Sequence, residues 1–481
     1  MQNLWSHTGR GIAVSALALA LTACQSMRGP EPVAQASIPS SYTAAASGTS
    51  VAEQGYKDFF ADQRLLQVLD MALNNNRDLR TATLNIQRAQ QAYQITENNQ
   101  LPTIGASGGV LRQDQGTALG THTRYNVGLG VTAYELDFWG RVRSLKDNAL
   151  DNFLATQSSR DATQIALIGQ VAQAWRNYSF ANANLKLADQ TLKTQLESYN
   201  LNKKRFDVGI DSELPVRQAQ ISVETARNDV ANYKTQVAQA QNLLNLLVGE
   251  QVPSALLPTQ RVTHITKTTA IGAGLPSDLL NNRPDIRTAE YRLSAAGANI
   301  GAAKARLFPS ISLTGNAGYA STDLSDLFKS GSFVWAVGPS IDLPIFDWGT
   351  RQANIKISET DQQIALADYE KSIQSAFREV NDALAVRQNI GDRLAAQKRL
   401  VDATNTTYKL SNARFRAGID NYLTVLDAQR TSYAAEQGLL LLEQANLNNQ
   451  VELYKSLGGG VKTNTSDVTS QPASSAERKA Q

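Results

Sequence analysis

The sequence holds one cysteine and three histidines in 481 residues. A single cysteine excludes a disulfide framework within the chain, and His7, His122 and His264 lie too far apart in sequence for a Cys/His metal cage. No stretch approaches 18 consecutive apolar residues, so no transmembrane helix is expected. An excess of one charge is also missing: 46 basic and 43 acidic residues leave a formal +3, with no basic stripe interleaved with aromatics. That argues against a nucleic-acid partner. No Gly-x-Ser-x-Gly elbow, phosphate loop or HExxH occurs, and no acid pair stands in a convincing context. The chain therefore reads as no enzyme, with no catalytic, cofactor or metal residues to assign.

What is present begins at the N-terminus. Arg10 precedes a short apolar run, Gly11 to Leu21, and Leu21-Thr22-Ala23-Cys24 follows. The run is too short to span a hydrocarbon core of about 30 Å and reads as a secretory signal. The sole cysteine, at the position of a small-residue cleavage site, resembles the bacterial lipobox. That resemblance implies removal of residues 1–23 and a covalent lipid on Cys24. An ordinary signal peptide with a free cysteine is the other reading. Gln25, rather than Asp, follows Cys24, which by resemblance to enterobacterial lipoproteins implies transfer to the outer membrane.

The sequence is also written twice. Leu73-Asn-Asn-Asn-Arg-Asp78 returns as Leu280-Asn-Asn-Arg-Pro-Asp285, an offset of 207 that Pro102 and Pro309 share. Trp139-Gly140 and Trp348-Gly349 are 209 apart, as are Arg205-Phe206-Asp-Val-Gly209-Ile-Asp211 and Arg414-Phe415-Arg-Ala-Gly418-Ile-Asp420. This tandem repeat divides the chain into a signal peptide (1–23), a lipidated linker (24–55) and a first repeat (56–250). A linker (251–273), a second repeat (274–460) and a polar tail that reads as disordered (461–481) follow. Each repeat runs helix, two strands, long helix, glycine turn, long helix.

The strands are amphipathic with a period of two. Tyr125, Val127, Leu129, Val131 and Ala133 share one face, with Asn126, Gly128, Gly130, Thr132 and Tyr134 on the other. Phe333, Trp335, Val337, Pro339, Ile341 and Leu343 alternate with small and polar residues in the same way. Such runs are about the 9–11 residues of a tilted membrane strand, and a soluble sandwich with one buried face is the alternative. Four strands cannot close a barrel and lipid tolerates no open sheet edge, so membrane strands here require several chains. The helical stretches are long: Trp139 to Arg205 and Trp348 to Arg416 contain no proline, and 65 residues would extend about 100 Å. Trp139-Gly140 and Trp348-Gly349, where strand passes into helix, read either as interfacial aromatics beside a flexible corner or as core packing.

Together the lipobox, the repeats, the four strands, the helical hairpins and the two Arg-Phe-x-x-Gly-Ile-Asp turns resemble one family over about residues 56–460. It is the TolC-like outer-membrane efflux proteins, in their lipoprotein branch. Its most specific pieces here are Ala413 to Arg430 and Leu280 to Arg287. The resemblance implies a mainly α chain with membrane β-structure, three copies of which form a duct. Each copy would give four strands to a shared twelve-stranded barrel and long helices to a periplasmic tunnel. It implies a homotrimer in outer-membrane lipid, a periplasmic adaptor protein, and an inner-membrane RND pump reached through that adaptor. Small toxic molecules such as drugs would be the cargo; ducts for metal ions or for type I secretion are the alternative. The implied periplasmic gate is Leu423 as apolar constriction, Asp427 as acidic ring and Arg430 as its basic partner. In the first repeat the same register holds Leu214, Gln218 and Ile221. The turns at Gly209 and Asp211 and at Gly418 and Asp420 are the implied adaptor contacts. A passive porin, a structural coiled coil and an enzyme are the competing classes, and none of them needs strands and long helices in one repeat.

Overall fold

The computed structural model describes residues 27–35, 42, 49–50, 54–114, 121–267, 271–272 and 278–461. After a two-residue strand β1 (Thr49–Ser50) and the short helix α1 (Tyr56–Phe59), the first repeat runs α2 (Gln63–Asn75), α3 (Arg77–Asn98), β2 (Ile104–Asp114), β3 (Thr121–Glu135), α4 (Arg141–Asp207) and α5 (Glu213–Val248). After β4 (Ile271–Gly272), the second runs α6 (Asp278–Asn282), α7 (Pro284–Ala305), β5 (Ser310–Ser321), β6 (Phe333–Asp342), α8 (Thr350–Arg416) and α9 (Tyr422–Ser456). Helices α4 and α8 have 67 residues each, against about 11–12 for a mean helix. Contacts divide the chain into two compact units, each drawing on both repeats. One holds the described residues of 1–35, 85–157 and 288–371, and the other those of 36–84, 158–287 and 372–481.

The first unit contains a four-stranded antiparallel sheet in the order β2-β3-β5-β6. Register aligns the alternating residues into two coherent faces. Ile104, Ala106 and Val110 of β2 stand opposite Val131, Leu129 and Tyr125 of β3, and Tyr319, Ala317 and Ile311 of β5 opposite Phe333, Trp335 and Ile341 of β6. The other face carries Ser107, Asn126, Ser312, Asn316 and Ser340. Gly128 pairs with Gly318 on that face, where a Cβ on either would run into the opposite backbone. One assignment from simple alternation changes. Between Val131 and Tyr134 the β3–β5 register shifts, so Thr132 and Ala133 oppose Thr314 alone. Ala133 takes φ 52° and its N–H meets the Thr314 hydroxyl at 3.2 Å. The bulge turns Tyr134, opposite Leu313, onto the apolar face and removes Ala133 from it. Bulges have no period, so alternation could not show it.

In the second unit each repeat closes on itself by the same contact. The helical pair of each repeat breaks at Asn76 or at Arg283, one repeat offset apart. Asn76 caps the next helix by accepting from Leu79 N–H at 2.9 Å, and its amide donates to Leu247 O at 2.8 Å. Arg283 donates to Ser456 O at 2.9 Å, the corresponding carbonyl, and pairs with Asp285 and with Glu379 at 2.6 and 2.8 Å. Each returning helix then stops at a left-handed glycine, Gly249 (φ 84°) or Gly458 (φ 85°). Around these ends lies a core of Phe59, Phe60, Leu65, Leu69, Trp175 and Tyr454, with the Phe59 and Tyr454 rings stacked at 3.9 Å.

A Cβ at Gly458 would lie 2.6 Å from Asn282 O, on top of the left-handed backbone. Gly458→Ala is expected to destabilise by at least the ~1–2 kcal/mol of that conformation. Thermal unfolding of the purified protein should show it as a lowered midpoint. Gly391→Ala, within α8 and with open space around the new methyl, should leave the midpoint unchanged or raise it.

Candidate functional sites

At the hairpin of the second repeat, the last turn of α8 closes by Gly418 N–H to Phe415 O and Ile419 N–H to Arg414 O, both 2.9 Å, with Gly418 at φ 77°. Gly209 (φ 76°) closes α4 in the same way, by bonds of 2.9 and 2.8 Å to Phe206 and Arg205. This paired pattern satisfies helix-end carbonyls that would otherwise lack donors, and the left-handed residue costs glycine nothing. The two aspartates have a local task. Arg414 holds Asp420 through two bonds of 2.7 and 3.0 Å, and Arg205 holds Asp211 at 2.5 Å. The hydrogen bond from Arg414 keeps the Asp420 carboxyl below the usual carboxylate range. Asn421 then caps α9 by accepting from Thr424 N–H.

The two hairpins share a small core. Ala219 of the first packs with Phe415, Tyr422, Val425 and Leu426 of the second, flanked by Tyr199, Leu201 and Tyr408. The Arg205 guanidinium lies 5.2 Å from the centroid of the Phe415 ring. Because α9 turns Tyr422, Val425, Leu426 and Gln429 inward, Leu423, Asp427 and Arg430 fall together on its exposed face. Asp427 and Arg430 form no ion pair with each other among the described residues. Leu214 and Ile221 are likewise exposed on α5, with Gln218 half-buried between them. Beyond these positions two bonds tie α5 to α9: Tyr433 donates to Asp229 at 3.3 Å, and Gln437 to the Tyr233 hydroxyl at 2.9 Å. Burial, and the Asp229 charge after it, raises the Tyr433 pKa and keeps the hydroxyl a donor. Sequence reading missed these ties, since the repeat places Gly438 and Leu442 where Asp229 and Tyr233 stand.

Cys24 lies outside the described residues. Residues soon after it are held in the first unit. Arg28 donates to Ser294 O at 2.9 Å beside Asp151, and a Cβ at Gly301 of α7 would meet the Arg28 backbone at 3.1 Å. In the same unit the apolar face of the sheet is open. Ile104, Val110, Leu129, Trp335, Val337 and Ile341 are all exposed. A contiguous apolar face of this extent marks an interaction surface. At the foot of β3, Trp139 stacks on Phe308 and donates to Pro309 O at 2.7 Å, whereas Trp348 at the foot of β6 is 99% exposed.

The sequence model of the outer membrane efflux protein family matches residues 68–250 and again 275–459. The chain belongs to this family. The solvent efflux pump outer membrane protein SrpC of Pseudomonas putida is 45% identical over 410 residues, covering 84% of this chain and 87% of the relative. The cation efflux system protein CusC of Escherichia coli O157:H7 is 38% identical, covering 92% and 97%. Among solved structures, the open state of the Neisseria gonorrhoeae MtrE outer membrane channel superposes with a TM-score of 0.84 at 38% identity, covering 92% of this chain and all of the other. Membership makes the chain an efflux channel protein of the outer membrane and not an enzyme. No described helix is long and apolar enough to cross a membrane.

Leu129→Arg or Val127→Arg puts charge on the lipid face, at a cost of about 2–4 kcal/mol near the bilayer midplane. Each should sharply reduce the membrane-inserted fraction. Ser340→Arg, on the opposite face, should be tolerated. Fractionation of membranes followed by resistance to urea extraction measures both.

Proposed function

We propose that the chain is one subunit of a homotrimeric, gated duct that exports small toxic compounds from periplasm or pump to the exterior. Three copies give four strands each to a twelve-stranded barrel, and α4, α5, α8 and α9 form a periplasmic tunnel. A periplasmic adaptor meets the turns at Gly209, Asp211, Gly418 and Asp420, and an inner-membrane RND pump is reached through it. Cys24 carries the lipid anchor once residues 1–23 are removed. Residues 24–55 are the linker to the repeats at 56–250 and 274–460.

One observation carries this reading: a sheet with an exposed apolar face ends in β2 and β6, each with one edge that has no strand beside it among the described residues. Four alternating strands leave those edges running in opposite directions. Identical copies can therefore join edge to edge in regular antiparallel pairing until the ring closes. The higher identity to a solvent efflux protein than to a cation efflux protein supports organic cargo. Export assays comparing toluene with metal ions decide between the two.

The gate lies where Leu423, Asp427 and Arg430 share the free face of α9. Three Asp427 carboxylates converging on a threefold axis would set charge preference, and Leu423 would exclude solutes by size and dewetting. Leu423→Ala with Asp427→Ala is expected to raise single-channel conductance in planar bilayers and to admit vancomycin without an adaptor. Asp427→Ala alone should weaken block by trivalent cations added on the periplasmic side. Unchanged conductance and block would remove the gate from this turn. The mass of the detergent-solubilised complex tests the trimer itself.

A further inference from the structure

We infer that Trp348 docks on Leu101 and Pro102 of the neighbouring copy, donating its indole N–H to the Pro102 carbonyl and closing the foot of the seam between copies. The inference rests on the ring proposed above and specifies its contact. Within one chain, β3 and β5 join the second strand of the first repeat to the first strand of the second. The foot of that seam is sealed by Trp139, stacked on Phe308 with ring centroids 4.7 Å apart and hydrogen-bonded to Pro309 O. The repeat maps Trp139 onto Trp348, and Phe308-Pro309 onto Leu101-Pro102. When β6 meets β2 of the next copy, a second strand again meets a first strand, so the same seam is formed from the corresponding residues.

Exposure agrees with a missing partner. Trp348 is 99% and Leu101 65% exposed, whereas Trp139 is half-buried in its own chain. The backbone differs as well: Trp348 sits at φ 54°, a left-handed conformation uncommon outside glycine that Trp139 does not share. Leu101 in place of Phe308 exchanges ring stacking for an aliphatic contact and leaves the carbonyl acceptor in place.

The same mapping fixes strand register across the seam. Below the bulge of β3, Tyr134 opposite Leu313 becomes Leu343 opposite Ala106. Above it, Val131 opposite Gly315 becomes Ile341 opposite Gly108, because β6 lacks the extra residue. Both segments give one register, which next places Val337 opposite Arg112.

Cys24 is the only native cysteine, so introduced pairs report cleanly. Directly opposed residues have Cα atoms about 4.5–5.5 Å apart, within disulfide reach, whereas diagonal neighbours at about 7–8 Å are outside it. Ile341→Cys with Gly108→Cys should yield covalent dimers and trimers on non-reducing denaturing gels. It should do so at least several-fold more than Ile341→Cys with Ala106→Cys or with Val110→Cys. Space around Gly108 admits the new side chain, the nearest atom being 3.8 Å from a built Cβ. Val337→Cys with Arg112→Cys repeats the test at a second matched pair. Trp348→p-benzoylphenylalanine should cross-link on irradiation to a peptide containing Leu101 and Pro102 of another copy, and Trp139→p-benzoylphenylalanine to Phe308 of its own chain. An intact trimer that favours an off-register disulfide, or whose residue 348 labels only its own chain, overturns the seam and leaves the ring standing. A protein that is monomeric by native mass measurement overturns both.

Discussion

A strand in hydrocarbon cannot leave backbone N–H and C=O groups unpaired, because no water is present to take them and each orphan costs several kcal/mol. In this chain the outer edges of β2 and β6 have no strand beside them among the described residues. That single constraint reaches through the rest of the architecture. It forbids the sheet from entering lipid alone, and it requires an even number of strands per copy if identical edges are to pair antiparallel. Two repeats of two strands meet that requirement. A seam between repeats inside the chain and a seam between copies then become versions of one contact, which is why the internal seam can serve as a template for the external one.

Much of this architecture was legible because it is periodic or duplicated. Alternation gave the faces of β3 and β6, the absence of proline gave α4 and α8, and the repeat gave the order of elements. Features without a period were hidden. The bulge at Thr132 and Ala133 exchanges the faces of Ala133 and Tyr134, and one extra residue leaves no mark in the pattern. The ties from Tyr433 to Asp229 and from Gln437 to Tyr233 join residues 204 apart that have no counterpart in the other repeat. By resemblance, Asp211 and Asp420 are surface for a partner. Their carboxylates first clasp Arg205 and Arg414 across the turns, a role that a six-residue spacing does not announce. Asn76 and Arg283 hold equivalent carbonyls with different chemistry, so the shared contact survives where the residue identity does not.

The two hairpins show which features duplication keeps. The glycines stand at φ 76° and 77°, and both turns carry the same helix-end bonds and the same Arg–Asp clasp. These are conditions on the backbone, and few residues meet them. One turn further on, the constraint lapses: exposed Ile221 in the first repeat corresponds to Arg430 in the second, and Gln218 to Asp427. A surface free of folding duties can diverge toward function at little cost in stability. Two near-identical supports thus carry unlike faces, and in a ring of three copies those faces would alternate six times around the axis, neutral then charged.

The seams differ in a way that bears on assembly. Inside the chain, Gly128 faces Gly318, and the strands approach so closely that no side chain fits between them. Across the inferred seam the corresponding pair is Gly338 opposite Leu111, so no glycine pair recurs. The internal seam also forms within one chain, whereas the external one depends on subunit concentration. A closed ring leaves no open edge on any copy, whereas an arc of one or two copies leaves two. The last subunit therefore closes two seams where an earlier addition closes one, and assembly in lipid should be all-or-none, with open arcs of one or two copies too unfavourable to persist.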